Sequence, residues 1–154
     1  MKKTADITIR QMTIEDYDQV YRLWKETKGF RIRSVDDSRE GVARFLKRNP
    51  LTSVVAVCGG KIVGDVLCGH DGRQGSFYHV CVHEDYRKKG IGTAMVEQAM
   101  DALREEGINK ITLIAFRSNR GGNEFWKKAG WDFRPDVNYY EAILNDCNHV
   151  ECIA

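Results

Sequence analysis

An α/β fold is predicted, with a mixed, mostly antiparallel central sheet, one parallel βαβ unit and flanking helices, and three features of the sequence predict it. Two β-branched runs, residues 53–58 and 61–68, flank Gly59-Gly60, and a glycine pair reaches the positive φ angles of a tight hairpin turn. The strand-like run 76–82 is followed from Ile91 by about sixteen residues of helical periodicity and then by the run 111–116. Strand, helix, strand in succession requires parallel strands and a right-handed crossover. At 154 residues and 42% hydrophobic, the chain fills one core and is too short for two ordinary domains.

The elements read in order. Ile7 and Ile9 alternate with polar neighbours as a short strand. Thr13-Ile14-Glu15-Asp16 then opens a helix in the manner of a capping box, and Ile14, Tyr17, Tyr21 and Trp24 share one face of it. Residues 29–37 read as loop. A second helix starts at Ser38, turns Val42, Phe45 and Leu46 inward and stops before Pro50. After the hairpin, the turn-rich residues 70–75 lead into the apolar run 76–82, a central strand. Ala94, Met95, Ala99, Ala102 and Leu103 lie at helical spacing, with Gly107 as the left-handed stop. A last helix over residues 122–129 ends at Gly130, and the runs 131–133 and 137–144 are expected to complete the sheet. Residues 1–146 therefore form the expected domain and 147–154 a tail.

Charge excludes several classes of partner. Twenty-four Lys and Arg against 22 Asp and Glu leave a net charge of +2, too weak a field to imply nucleic acid or a membrane surface, so an anion site must be local. The longest apolar stretches fall well short of the roughly 18 residues of a membrane span. No apolar segment follows Lys2 and Lys3 as in a secretory signal, so a cytoplasmic location is expected. Of five cysteines, Cys58, Cys68 and Cys81 sit in strand-like runs as small buried hydrophobes. Cys147, His149 and Cys152 lack the paired spacing of a zinc site, and no metal is expected.

The chemistry concentrates in one loop. Beyond Tyr78-His79-Val80-Cys81-Val82 the chain passes through His83-Glu84-Asp85-Tyr86 into Arg87-Lys88-Lys89-Gly90-Ile91-Gly92-Thr93, which opens a helix. The first turn of a helix has unpaired N–H groups and about half a positive charge, so it attracts phosphate. Arg87, Lys88 and Lys89 add cations, and Gly90 and Gly92 lack the Cβ atoms that would hold a diphosphate off the amides. A plain solvated basic turn is the competing reading. A nucleoside triphosphate loop needs G-x-x-x-x-G-K-[ST], and a dinucleotide site needs a third glycine after the first strand; neither is present.

These residues resemble the GNAT superfamily of N-acetyltransferases, whose signature V-x-x-x-x-R-x-x-G-x-G/A is matched from Val82 to Gly92. The segment from Asn119 to Trp131 is similar to the N-x-x-A-x-x-x-Y-x-x-x-G-F of that family, and the element order is alike over nearly the whole chain. The resemblance implies acetyl-CoA as co-substrate and direct transfer of its acetyl group to a primary amine. It also implies that the backbone of Val80, Cys81 and Val82 pairs with the pantetheine arm and can stabilise an oxyanion. Asn119 would contact the donor beside Trp126.

Where that family often carries an acid tyrosine, this chain has Trp126, which has no proton to give at a useful pKa. Ile114 stands where a glutamate base is sometimes found, and Ser76 occupies another position used by relatives. Strand alternation puts Ser76, Tyr78 and Val80 on one face, which makes Tyr78 the candidate catalytic side chain and turns His79 to the opposite face. His83, Glu84 and Tyr86 are alternatives acting through water, and Cys81 as a nucleophile has no assignable histidine. Residues 28–37, 70–75 and 138–141 would border the acceptor, with Arg31, Arg33 and Arg73 suited to an acidic one. With the usual acid and base absent, an acyl-CoA-binding module without catalysis is the alternative function. The free edge of a mixed sheet offers a homodimer contact.

Overall fold

A computed structural model describes residues 6–154. Its five-stranded sheet has the order β1-β3-β4-β5-β6, built from β1 (Ile7–Gln11), β3 (Val54–Cys58), β4 (Lys61–His70), β5 (Gly75–Val82) and β6 (Ile111–Leu113). The first four pair antiparallel, and β5 with β6 is the parallel pair. The crossover between them is α3 (Ile91–Glu105). β3 and β4 join through Gly59 and Gly60 at φ 57° and 77°, the turn that the glycine pair predicts.

Helices cover both faces of the sheet. On one side α1 (Tyr17–Glu26) and α2 (Arg39–Arg48) bury Val20, Trp24, Val42 and Leu46 against Val55, Ile62, Leu67 and Cys81. On the other, Met95, Val96, Ala99 and Leu103 of α3 pack on Val54, Val63, Val66 and Phe77, with α4 (Arg120–Lys128) beside them. β4 is buried on both faces and is the spine of the core. The start of α1 is tied to β1: the Asp16 carboxylate accepts the Thr13 N–H at 2.9 Å and grips the Arg10 guanidinium at 2.7 and 2.8 Å. Ser38 caps α2 through the Gly41 N–H at 3.1 Å. Among the described residues no helix is long and apolar enough to cross a membrane.

Three expectations are corrected. Residues 29–37 are not all loop, because β2 (Arg31–Arg33) pairs antiparallel with β7 (Val150–Cys152), burying Ile32 between two arginines. The partner lies more than a hundred residues away, so no local pattern announces the strand. The last eight residues thereby hydrogen-bond back onto the α1 side of the molecule. Second, β6 ends at Leu113 rather than at residue 116, because Ile114 and Phe116 have left the parallel pairing and are exposed. Third, residues 131–133 and 137–144 form no strand. Their apolar alternation is real, but Phe133, Tyr140 and Leu144 face outward, 74–98% exposed, with no ladder against β6. The Arg134 guanidinium closes the intervening turn on Asp136 at 2.8 Å.

α1 is pinned to the sheet by one buried polar bond, in which the Trp24 indole N–H donates to Asp65 Oδ1 of β4 at 3.0 Å. Both residues are fully buried, and Asp65 Oδ2 has no hydrogen-bond partner. Burial therefore holds this carboxyl well above the ordinary carboxylate range, against the Trp24 bond, which favours ionisation. The folded state keeps a proton that the unfolded chain releases above about pH 4, so the cost to stability is absent below that pH and grows as pH rises. Replacing Asp65 with Asn is expected to raise the melting temperature progressively from about pH 4 to about pH 7 and to leave it little changed at the acid end. Thermal melts of both proteins across that range check the slope.

Candidate active site

Pairing sets the cleft. β5 is bonded to β6 only through Gly75–Phe77 against Ile111–Leu113, after which the two strands part. β5 also carries one residue more than β4: Leu67 stands opposite His79 and Cys68 opposite Phe77, with Tyr78 bulged between them. Beyond the bulge the His83 N–H bonds Val63 of β4, and the same alternation turns His79 and Cys81 to β4. The backbone groups of Val80 and Val82 thus point into the gap that β6 has vacated.

The basic loop closes one end of that gap. A short 3₁₀ turn, Glu84–Tyr86, follows His83, whose Nδ1 accepts the Asp85 N–H at 3.2 Å. Arg87 Nε donates to the Val82 carbonyl at 3.0 Å, which fixes the loop to the strand it leaves. Lys88 has φ 60° and Gly90 φ 80°. A left-handed lysine is strained, and such strain is held where surrounding structure requires it. Gly90 is the N-cap of α3 and has no side chain with which to cap it. The first-turn amides of Ile91, Gly92 and Thr93 are therefore left for a ligand. A Cβ on Gly92 would stand 3.4 Å from the Phe125 ring, filling the cradle between α3 and α4.

The wall opposite is α4. Asn119 is its N-cap, with Oδ1 accepting the Gly122 N–H at 3.0 Å. Trp126 stacks on Phe77 at 5.8 Å and meets Phe125 and Trp131 edge-on at 4.8 and 5.0 Å. Of the residues that the sequence singles out, Tyr78, Val80, Cys81, Val82, Arg87, Lys88, Gly90, Ile91, Gly92, Thr93, Asn119 and Trp126 line one continuous cleft. Lys89 lies outside the lining, its ammonium 5.5 Å from the centre of the Tyr86 ring.

The bulge overturns the expected faces of β5. Phe77 and Val80 pack on the α3 side, whereas His79 and Cys81 lie on the α1 side with Trp24. Tyr78 and Val80 accordingly do not share a face. Tyr78 is 61% exposed, with its ring edge against Phe45 of α2 at 5.4 Å. Cys81 sits 3.2 Å from the Thr27 hydroxyl, and burial pushes its thiol up to about 12, so it remains protonated and unreactive at neutral pH.

His79 is the residue that strand alternation misses. Its Nε2 lies 2.8 Å from Asp37 Oδ1, and Asp37 Oδ2 accepts the Arg33 N–H at 2.7 Å. The ring packs beside the stacked pair of Trp24 and Phe30, with centroids 4.6 and 4.7 Å away. Both His79 and Asp37 line the cleft. Asp37 comes just before the cap of α2, where an acidic residue is unremarked, and a bulge leaves no trace in one strand's sequence.

Known proteins resemble this chain along most of its length. The sequence model of the acetyltransferase (GNAT) family matches residues 17–131. An acetyltransferase of Pectobacterium atrosepticum is 33% identical over 138 residues, 90% of this chain and 96% of that protein. Another, of Sodalis glossinidius, is 29% identical over 129 residues, 84% and 89% of the two chains. The PaiA N-acetyltransferase of Thermoplasma acidophilum, solved in complex with coenzyme A, shares the fold. Its TM-score is 0.70 at 17% identity, over 80% of this chain and 88% of that one.

The α4 wall depends on its cap. A Cβ on Gly122 would come within 2.4 Å of the Asn119 side-chain amide, so Gly122→Ala is expected to expel the cap as surely as Asn119→Ala removes it. Each should cost about 1 kcal/mol of stability in urea or thermal unfolding.

Proposed function

The chain belongs to the acetyltransferase (GNAT) family, and on that premise we propose that it is an acetyl-CoA-dependent N-acetyltransferase acting on a primary amine of a small molecule, peptide or protein. The observation that carries this reading is the junction of β5 with α3. There, two glycines, a strained lysine and the free amides of a helix start meet at the end of an unpaired strand edge. Acetyl-CoA supplies the acetyl group already activated as a thioester. The amides of Ile91, Gly92 and Thr93, with Arg87 and Lys88, hold its diphosphate, and Gly92 leaves the space for it. Val80 offers its outward N–H and carbonyl, and Val82 its N–H, to the pantetheine arm, and Cys81 packs behind them. Asn119 keeps its Nδ2 for the donor while Oδ1 caps α4. Trp126 walls the cleft and gives no proton.

Residues 1–146 act as one acyl-CoA-binding domain in this reading. The amine enters from the α1 side, bordered by residues 28–37 and by Tyr139, whose hydroxyl bonds Glu141 at 3.1 Å. An acyl-CoA-binding module without catalysis differs in one measurable respect, because it binds CoA and turns over with no amine. Two copies pair through the free β6 edge and the exposed apolar side chains of residues 133–144. Light scattering should then give twice the 17.6 kDa of one chain, and the monomer mass would refute the pairing.

Coenzyme A is expected to raise the melting temperature where ATP and NAD do not, and incubation of acetyl-CoA with a panel of primary amines should release CoA above background. Gly92→Asp places a carboxylate where the diphosphate lies. It should weaken CoA binding by about tenfold or more in calorimetry, because opposed like charges cost several kcal/mol. Unchanged affinity in that variant would sink the assignment of the loop.

A further inference from the structure

The proposed reaction leaves one proton without a carrier. As the acceptor nitrogen bonds the acetyl carbon it loses a proton, and the sulfur whose bond to that carbon breaks gains one. Trp126 and Ile114 serve neither need. We propose that His79, positioned by Asp37, is the general base that takes the proton from the acceptor amine. The proposal rests on the acetyltransferase reading of the cleft.

Four observations carry it. First, the pair is built into the fold: the side chains of His79 and Asp37 are only 14% and 6% exposed, and their contact measures 2.8 Å. Second, the carboxylate is itself oriented, because its other oxygen holds the Arg33 N–H at 2.7 Å. The Tyr17 hydroxyl also donates to the Asp37 carbonyl at 2.7 Å. A carboxylate accepts and does not donate, so the ring hydrogen sits on Nε2 and the lone pair on Nδ1. Third, the ring packs against the stacked pair of Trp24 and Phe30, which limits its reorientation. Fourth, His79 immediately precedes Val80, whose outward backbone groups face the donor, and it lines the same cleft.

The bulge makes this arrangement. It swings the histidine to the α1 side, from which the amine enters, while Val80 stays with the donor. The proton passes from the amine to Nδ1, the imidazolium is stabilised by Asp37, and the same proton is returned to the departing sulfur or to water. Tyr78 has no such support, since it is exposed and only its ring edge is held.

The test uses the full chain with acetyl-CoA and four amines: ethanolamine, putrescine, lysine and a short peptide with a free N-terminus. His79→Ala is expected to lower kcat by about 10²–10⁴ while CoA affinity by calorimetry is unchanged. Added imidazole, which fits the space that His79 vacates beside Trp24 and Phe30, should restore part of the rate. Asp37→Asn keeps the shape and presents an N–H to His79 Nε2, which forces the hydrogen onto Nδ1. It should lower kcat strongly with little change in the amine KM. His79→Gln guards against misfolding and should show the same loss with a melting temperature near that of the parent. A kcat within about threefold of the parent in His79→Ala or His79→Gln, with CoA still bound, overturns the dyad. Absence of CoA binding in the parent itself would instead overturn the reading of the cleft, and the dyad with it.

Discussion

The parting of β5 from β6 after three paired residues is the constraint on which the remaining structure depends. Parallel strands in a covered sheet normally satisfy every backbone group along their length. Here the edge of β5 beyond Phe77 has no partner strand, and only the Val82 carbonyl is taken up, by Arg87 Nε, which is tolerable because the gap opens to the cleft and not to the core. The bulge at Tyr78 produces the parting: one extra residue raises the local twist and bends the strand away from its neighbour. α3 then begins at the mouth of the same gap, so the strand edge and the helix start face one cleft.

On the α1 side the same strand supports a buried polar group of unusual density. Asp65, Trp24, His79 and Asp37 follow one another through a hydrogen bond, a ring contact and a second hydrogen bond. Burial, and to a smaller extent the charge of Asp37, holds the Asp65 carboxyl well above the ordinary carboxylate range. The arrangement sacrifices some stability, through the unpartnered oxygen of Asp65, in a place where ordinary core packing would have served better.

Much of the loop that opens α3 is legible in the sequence because its physics is local. Glycines at positions 90 and 92, basic residues at 87 and 88, and a strand before and a helix after them are contiguous in the chain. Contiguity fixes their arrangement once the helix forms. The His79 side of the cleft is not legible in the sequence. Strict alternation turns His79 away from the face of Tyr78 and fails at the bulge, and its partner Asp37 lies 42 residues earlier in a segment with the composition of a loop. β2 and β7 escaped for the same reason, since each of three residues finds its partner at the far end of the chain.

The sequence by itself determined the fold class, the hairpin at Gly59-Gly60, the βαβ unit and the loop that opens α3, since propensity, periodicity and turn chemistry act within a few residues of one another. The tertiary structure alone decided which side of β5 each side chain faces, where β6 stops, that residues 137–144 stay outside the sheet, and that a histidine and an aspartate meet. Those outcomes depend on pairing between distant strands, and a single inserted residue reverses every face beyond it.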